Sequence, residues 1–239
     1  MKLLYFLLIS VSVLPHYMFA RATTKPVNHA PAVDDIRFWS LQFKEHPEMA
    51  SDFTNDAAIK QEGLQQAAQW QNYRTSGSFD AKEFTRLANL NKSYQNKVYR
   101  WINSNKNEKD LDKQIQLDLL DHMNKETDYA IKKASGRPMS AAEEIAFWAE
   151  EHKGEAKASA HFSKDEQVRG EAQVVEEDLN NNSGRPENLQ LQSVENANKE
   201  LDKMSKIPGK SRMPKKLAEH EQRERNRAKE IFRRLGAQK

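Results

Sequence analysis

Two histidine–glutamate pairs with the same four-residue spacing, His122 with Glu126 and His220 with Glu224, stand out in a chain that contains no cysteine. Residues four apart share one face of a helix. Both pairs fall on faces that are otherwise apolar, stepping Leu111, Ile115, Leu119, His122, Glu126, Tyr129 and Leu217, His220, Glu224, Ala228, Ile231, Leu235. Two more stripes are interrupted in the same way. One steps Ile36, Trp39, Phe43, His46, Ala50, Phe53, and the other Ile145, Trp148, His152, Glu155, Ser159, Phe162. A buried carboxylate without a partner is costly, so it takes up a proton or finds a counter-charge. The groups could pair as His–Glu hydrogen bonds, bind a metal, or be solvated on a face that is not buried. With no thiolate available, any metal must be held by His, Asp or Glu. His46, His122 and Glu126 would make a set of two imidazoles and a carboxylate, suited to iron, manganese or zinc with open positions. Glu155, His220 and Glu224, with His152 nearby, would make a second and more acidic set. Glu45 is a further ligand candidate, or a partner that fixes the tautomer of His46.

The elements that must position these residues are helices. Gly and Pro number only 8 each, charged residues are 31% of the chain, and β-branched runs are missing, a balance that favours an all-α fold. Apolar periodicity and breakers give about eight helices: 34–53, 55–74, 81–103, 110–134, 141–163, 165–179, 187–204 and 215–235. Asp80 with Glu83, and Ser140 with Glu143, form capping-box starts. The first and fifth helices align without a gap at an offset of 109, pairing Ile36, Phe38, Trp39 and Phe53 with Ile145, Phe147, Trp148 and Phe162. The fourth and eighth align at an offset of 98, "LLDHMNKE" on "LAEHEQRE". The order predicts two tandem four-helix repeats, 34–136 and 140–235, the second degenerate in its polar middle. Trp39, Trp148, Phe53 and Phe162 read as core anchors.

Residues 1–22 carry one lysine, an apolar run from Leu3 to Leu14 and the A-x-A pattern "ARA", which predicts a signal peptide and an exported protein, periplasmic or secreted. Residues 23–33 read as a flexible lead-in. Removing Lys2 and Arg21 leaves 36 basic against 35 acidic residues, so overall charge does not point to nucleic acid. No phosphate loop, dinucleotide fingerprint or nucleophile elbow is present.

Three stretches resemble an uncharacterised bacterial family of ferritin-like proteins: "FWSLQFKEH" (38–46), "LLDHMNKETDYAIKKASG" (119–136) and "EEIAFWAEEHKGEAKASAHF" (143–162). The resemblance covers most of 34–235. It implies two tandem ferritin-like four-helix bundles and a bound divalent metal, iron first and manganese or zinc next, with no established reaction. By position it implies Glu45 and His46 as the acidic–His pair, and His122/Glu126 and His220/Glu224 as the closing-helix pairs. Two residues depart from that pattern. Gly154 and Glu155 stand where the second acidic–His pair would be, and Pro47 follows His46 inside a helix, where it removes a hydrogen bond and is expected to kink the backbone.

The competing reading is an exported helical interaction protein whose metal site has decayed. Residues 203–239 hold 13 Lys/Arg against four glutamates and would contact a partner or an anionic surface. A solvated helix face with i,i+4 pairs accounts for the same charges.

Overall fold

Caps and breakers divide the described residues into eight helices, as their side chains dictate. They are α1 (Val33–Asp52), α2 (Ala57–Ser76), α3 (Ala81–Ser104), α4 (Asp110–Ala134), α5 (Ala141–Phe162), α6 (Glu166–Asn182), α7 (Glu187–Ser205) and α8 (Lys215–Gly236). The computed structural model describes residues 33–104, 110–207 and 213–237. The segment expected to be a signal peptide lies outside them, as does all of the lead-in but Val33. Asp56 starts α2 by accepting from the backbone N–H groups of Ala58 and Ile59 at 2.9 Å each. Ser140 and Glu143 close a complete capping box on α5. Gly77, at φ 69°, ends α2 in the left-handed conformation that glycine adopts without steric cost. No strand occurs among the described residues, and none of their helices is long and apolar enough to cross a membrane.

The packing places the chemistry. α4 packs on both α1 and α5, and α8 packs on the same two helices, so α1, α4, α5 and α8 form a closed ring. The α2–α3 hairpin covers the α1/α4 side and α6–α7 covers the α5/α8 side. Each hairpin brings an apolar core of its own. Trp70, Tyr73, Phe84 and Leu87 pack on Trp39 and Phe43, and Val168, Val175, Leu191 and Leu201 pack on Trp148 and Phe232. The polar sixth and seventh helices therefore keep a narrow apolar stripe that suffices for burial.

One end of the ring is filled by aromatic rings. Phe147 stacks on Tyr129 at 3.6 Å, and Trp39 and Trp148 meet Tyr129 edge-on at 5.6 and 6.3 Å. Trp39 and Trp148 are fully buried, as expected of core anchors. Phe53 and Phe162 are only half-buried, two helical turns beyond the polar centre, and edge a pocket.

α1 runs through Pro47 unbroken. A proline cannot donate to the carbonyl four residues back, which here belongs to Phe43. The Asn91 side chain of α3 donates to that carbonyl instead, at 2.9 Å, and accepts from Trp70 Nε1 at 3.0 Å. This replacement bond removes the main penalty of the proline, and His46 one residue earlier stays fully buried.

Candidate metal centre

Glu126 sits at the middle of the ring with no exposed surface, and imidazoles from three directions converge on it. His46 Nε2, from α1, lies 3.0 Å from Glu126 Oε2, and His220 Nε2, from α8, lies 3.5 Å from the same oxygen. His122 Nε2, one turn earlier on α4, lies 3.3 Å from the other oxygen, Oε1. His122 also reaches Glu151 Oε2, from α5, at 2.8 Å, and His220 reaches Glu224 Oε1 at 3.4 Å. Two donor sets result: His46, Glu126 and His220; and His122, Glu126, Glu151 and Glu224. Within each set the potential ligand atoms lie within 4.8 Å of one another. Glu126 belongs to both.

The spacings fit a metal better than a hydrogen-bond network. Neighbouring ligands on an ion with bonds of about 2.1 Å are separated by roughly 3.0–3.4 Å. Yet although imidazoles and carboxylates lie 2.8–3.5 Å apart, no hydrogen bond of good angular geometry reaches His46 Nε2, His122 Nε2, Glu224 Oε1 or either oxygen of Glu126 and of Glu151. Buried polar atoms are normally satisfied, so a concentration of orphans at one point calls for an explanation. Lone pairs aimed at a common centre supply one.

The electrostatics agree. Burial pushes the Glu126 carboxyl up, but the attraction of His46 and His220 outweighs it and holds the group well below its usual range. The others lack such help. Burial, then the neighbouring carboxylates, hold Glu224 well above the usual range. Burial raises Glu151 to about 7 against the pull of His122. Glu221, also on α8 and 2% exposed, rises to about 8 from burial, its neighbours Glu126 and Glu151 adding to the shift. Burial lowers His122, but Glu151 and then Glu126 reverse that and raise it to about 10. Four carboxylates thus face three imidazoles, and protons stand in for missing positive charge.

Of the residues singled out in the sequence, the fold gathers His46, His122, Glu126, His220 and Glu224 at one place. The two expected sets are rearranged into overlapping ones that span both halves of the chain, because the ring brings α1 against α8 and α4 against α5. Three candidates lie elsewhere. Glu155 is a buried ion-pair partner of Arg225. Glu45 pairs with Arg223, whose Nε also donates to Gln42 Oε1 at 2.7 Å. His152 packs between Trp148 and Phe232 at 6.3 and 6.2 Å, and burial first, then the Arg225 charge, lowers it to about 3.

Three residues at the centre escaped the sequence reading. Glu151 and Glu221 each neighbour a histidine that drew the attention, and neither continues its helix's apolar stripe. Gln95, on α3, places its amide 3.2 Å from His46 Nδ1. The amide nitrogen is the atom beside the ring; a half-turn of the amide would present its otherwise unpartnered oxygen to the Nδ1 proton and leave the Nε2 lone pair free for an ion, the usual device for orienting a metal-binding imidazole. Gly154 also has its explanation. A Cβ there would lie 2.6 Å from His122 Nδ1, so only glycine lets α5 close over that ring.

Comparison with protein-family models, with curated proteins and with solved structures finds no match to this chain.

Proposed function

We propose that this protein binds two divalent metal ions at the centre of the ring, with Glu126 bridging them. The observation that carries the reading is the shared carboxylate: each oxygen of Glu126 faces a separate donor set, and no Lys or Arg among the described residues pairs with it. His46 and His220 hold the first ion through Oε2. His122 and Glu151 hold the second through Oε1, and Glu224 lies within reach of both. A bridging carboxylate suits a pair of ions about 3.5–4 Å apart. The mixed imidazole and carboxylate ligands favour iron, with manganese or zinc next.

The ferritin-like family resemblance, the tandem repeat and export through residues 1–22 belong to the same reading. The all-helical ring and the pairing of helices by halves support it. Ion binding in such a protein is compatible with redox work or storage, and His-x-x-x-Glu differs from the Glu-x-x-His of ferritin-like di-iron sites, so no reaction is transferred. The interaction-protein alternative draws on the basic run 203–239. Arg223, Arg225 and Arg227 of that run are engaged within the molecule, by Glu45, Glu155 and Asp35. That leaves fewer cations for a partner surface.

The test is metal analysis and titration of the mature protein prepared without chelators. Two equivalents of Fe(II), Mn(II) or Zn(II) are expected, both lost in Glu126→Ala. Substoichiometric metal that is unchanged by His46→Ala and Glu126→Ala would sink the reading.

A further inference from the structure

The ring that holds the polar centre is closed differently at its two ends. Toward the start of α1 it is plugged by the stacked rings of Tyr129, Phe147, Trp39 and Trp148. Toward the end of α1 it contains a pocket of about 200 Å³ between all four ring helices.

The pocket is apolar and continues the ligand-bearing faces. Met49 is three residues after His46 on α1, Leu119 three before His122 on α4, and Leu217 three before His220 on α8. Residues three apart share a helix face and lie about one turn, roughly 5 Å, along the axis. Phe53 and Phe162, each seven residues past His46 and Glu155, form the sides, and Met123 completes the floor. Met49, Leu119, Met123 and Leu217 are 2–6% exposed and form the buried floor, while the half-buried Phe53 and Phe162 and the exposed Lys215 and Lys216 stand at a mouth open to solvent. The two lysines at the rim have partners: Lys216 pairs with Glu48 at 2.6 Å and Lys215 approaches Glu219 at 3.7 Å. Asp52 also lines the rim, exposed to solvent and without an ion pair among the described residues, but the floor is built of aliphatic and thioether groups, and apolar walls of this kind do not retain water well. A cavity of about 150 Å³ with aliphatic and aromatic walls is large enough to bind benzene.

We propose that this pocket is a binding site for a small uncharged apolar molecule, of the size of one substituted aromatic ring, held one helical turn from the metal centre. Its placement beside metal ions rests on the two-ion reading above; the pocket's ability to bind does not. The flexible thioethers of Met49 and Met123 adapt to the shape of the guest and make favourable contacts with an aromatic ring.

Toluene is the probe, added to the full chain with ¹³C-labelled methionine methyls, in metal-free and Co(II)-loaded form. Saturable shifts of the Met49 and Met123 methyl resonances are expected in the metal-free protein, with nuclear Overhauser contacts from toluene to both. Leu217→Phe and Met49→Phe, which fill the pocket, are each expected to weaken binding at least tenfold, and Met49→Leu to change it little. In the cobalt form, toluene is expected to alter the visible absorption of the ion. Absence of Overhauser contacts to these two methyls in the wild type overturns the site, whatever the filling variants do. So does binding that survives both Phe variants in folded protein. Toluene binding with an unchanged cobalt spectrum overturns the adjacency. Failure of cobalt to bind at all shows in its stoichiometry and bears on the metal reading alone, since the metal-free measurement stands by itself.

Discussion

Glu144 and Glu126 are both completely buried carboxylates on ring helices, and their surroundings are opposites. Lys133 donates to one oxygen of Glu144 and Tyr129 to the other, so its charge is balanced and both acceptors are used. Asp35 with Arg227, and Glu155 with Arg225, are matched by a guanidinium in the same way. These pairs sit on the α4–α5, α1–α8 and α5–α8 contacts and tie the ring together. Glu126 instead has imidazoles and further carboxylates around it, and neither oxygen has a hydrogen-bond partner. The same fold therefore buries acids in two ways. Where the protein supplies the cation, the acid is structural. Where it surrounds the acid with imidazoles and further carboxylates instead, it builds a donor set that could hold a divalent cation.

The largest effect separates the two kinds of acid directly. Arg225→Met leaves Glu155 buried without its cation and is expected to cost about 3–5 kcal/mol, measured by urea unfolding of the metal-free protein. Adding Glu155→Met should restore most of the loss. Glu224→Gln is expected to cost the metal-free protein much less, because burial and the neighbouring carboxylates favour the neutral form of Glu224, which the amide resembles. A loss as large as that of Arg225→Met would erase the distinction.

Metal addition comes next. Zn(II) or Mn(II) at a hundred times the dissociation constant should stabilise the folded protein by about 2.7 kcal/mol per ion, and a chelator should reverse it. For a chain of this size, each kcal/mol corresponds to roughly 2–4 °C in thermal midpoint. Glu126→Gln should abolish the shift, which Arg225→Met should retain.

The pH dependence has a definite sign. Glu151 and Glu221 are raised in the fold to about 7 and about 8, so the folded protein holds protons that the unfolded chain has released. His122, raised to about 10, acts in the same direction above the ordinary histidine range. Stability of the metal-free protein should therefore fall as pH rises from about 5 to 10, the two glutamates contributing up to about pH 8 and His122 from about pH 6.5 to 10. Metal affinity should rise over the same interval, since ions displace those protons. Chemical denaturation and isothermal titration at several pH values check the two slopes, and parallel slopes would count against the centre.

The smallest effects refine the second donor set. Gly154→Ala must push the His122 ring, and should weaken the second ion about tenfold while sparing the first, seen as a split titration. Gln95→Met should weaken the first ion by about 10–100-fold through loss of the imidazole's orienting bond.

Much of this was legible along the chain. All eight helices were bounded to within about three residues, because their caps and apolar stripes are local signals. His46, His122, Glu126, His220 and Glu224 were visible as polar interruptions of those stripes. Which of them meet was not legible. Spacing on one helix says nothing about which helix lies opposite, so two separate sets were expected where the fold makes overlapping ones. Glu155 carried the same signal as Glu224, and only Arg225 across the α5–α8 contact distinguishes them. α1 continues through Pro47, and Asn91, on another helix, takes over the carbonyl that the proline leaves free.

By itself, then, the sequence determined helix length, buried face and the types of ionisable group placed on that face, all properties of neighbours within a few residues. The tertiary structure decided which buried acid received a protein cation and which was left to converge with imidazoles. That decision depends on side chains brought together from α1, α4, α5 and α8, and electrostatic pairing in a dry interior is set by a few ångströms of distance that no local pattern encodes.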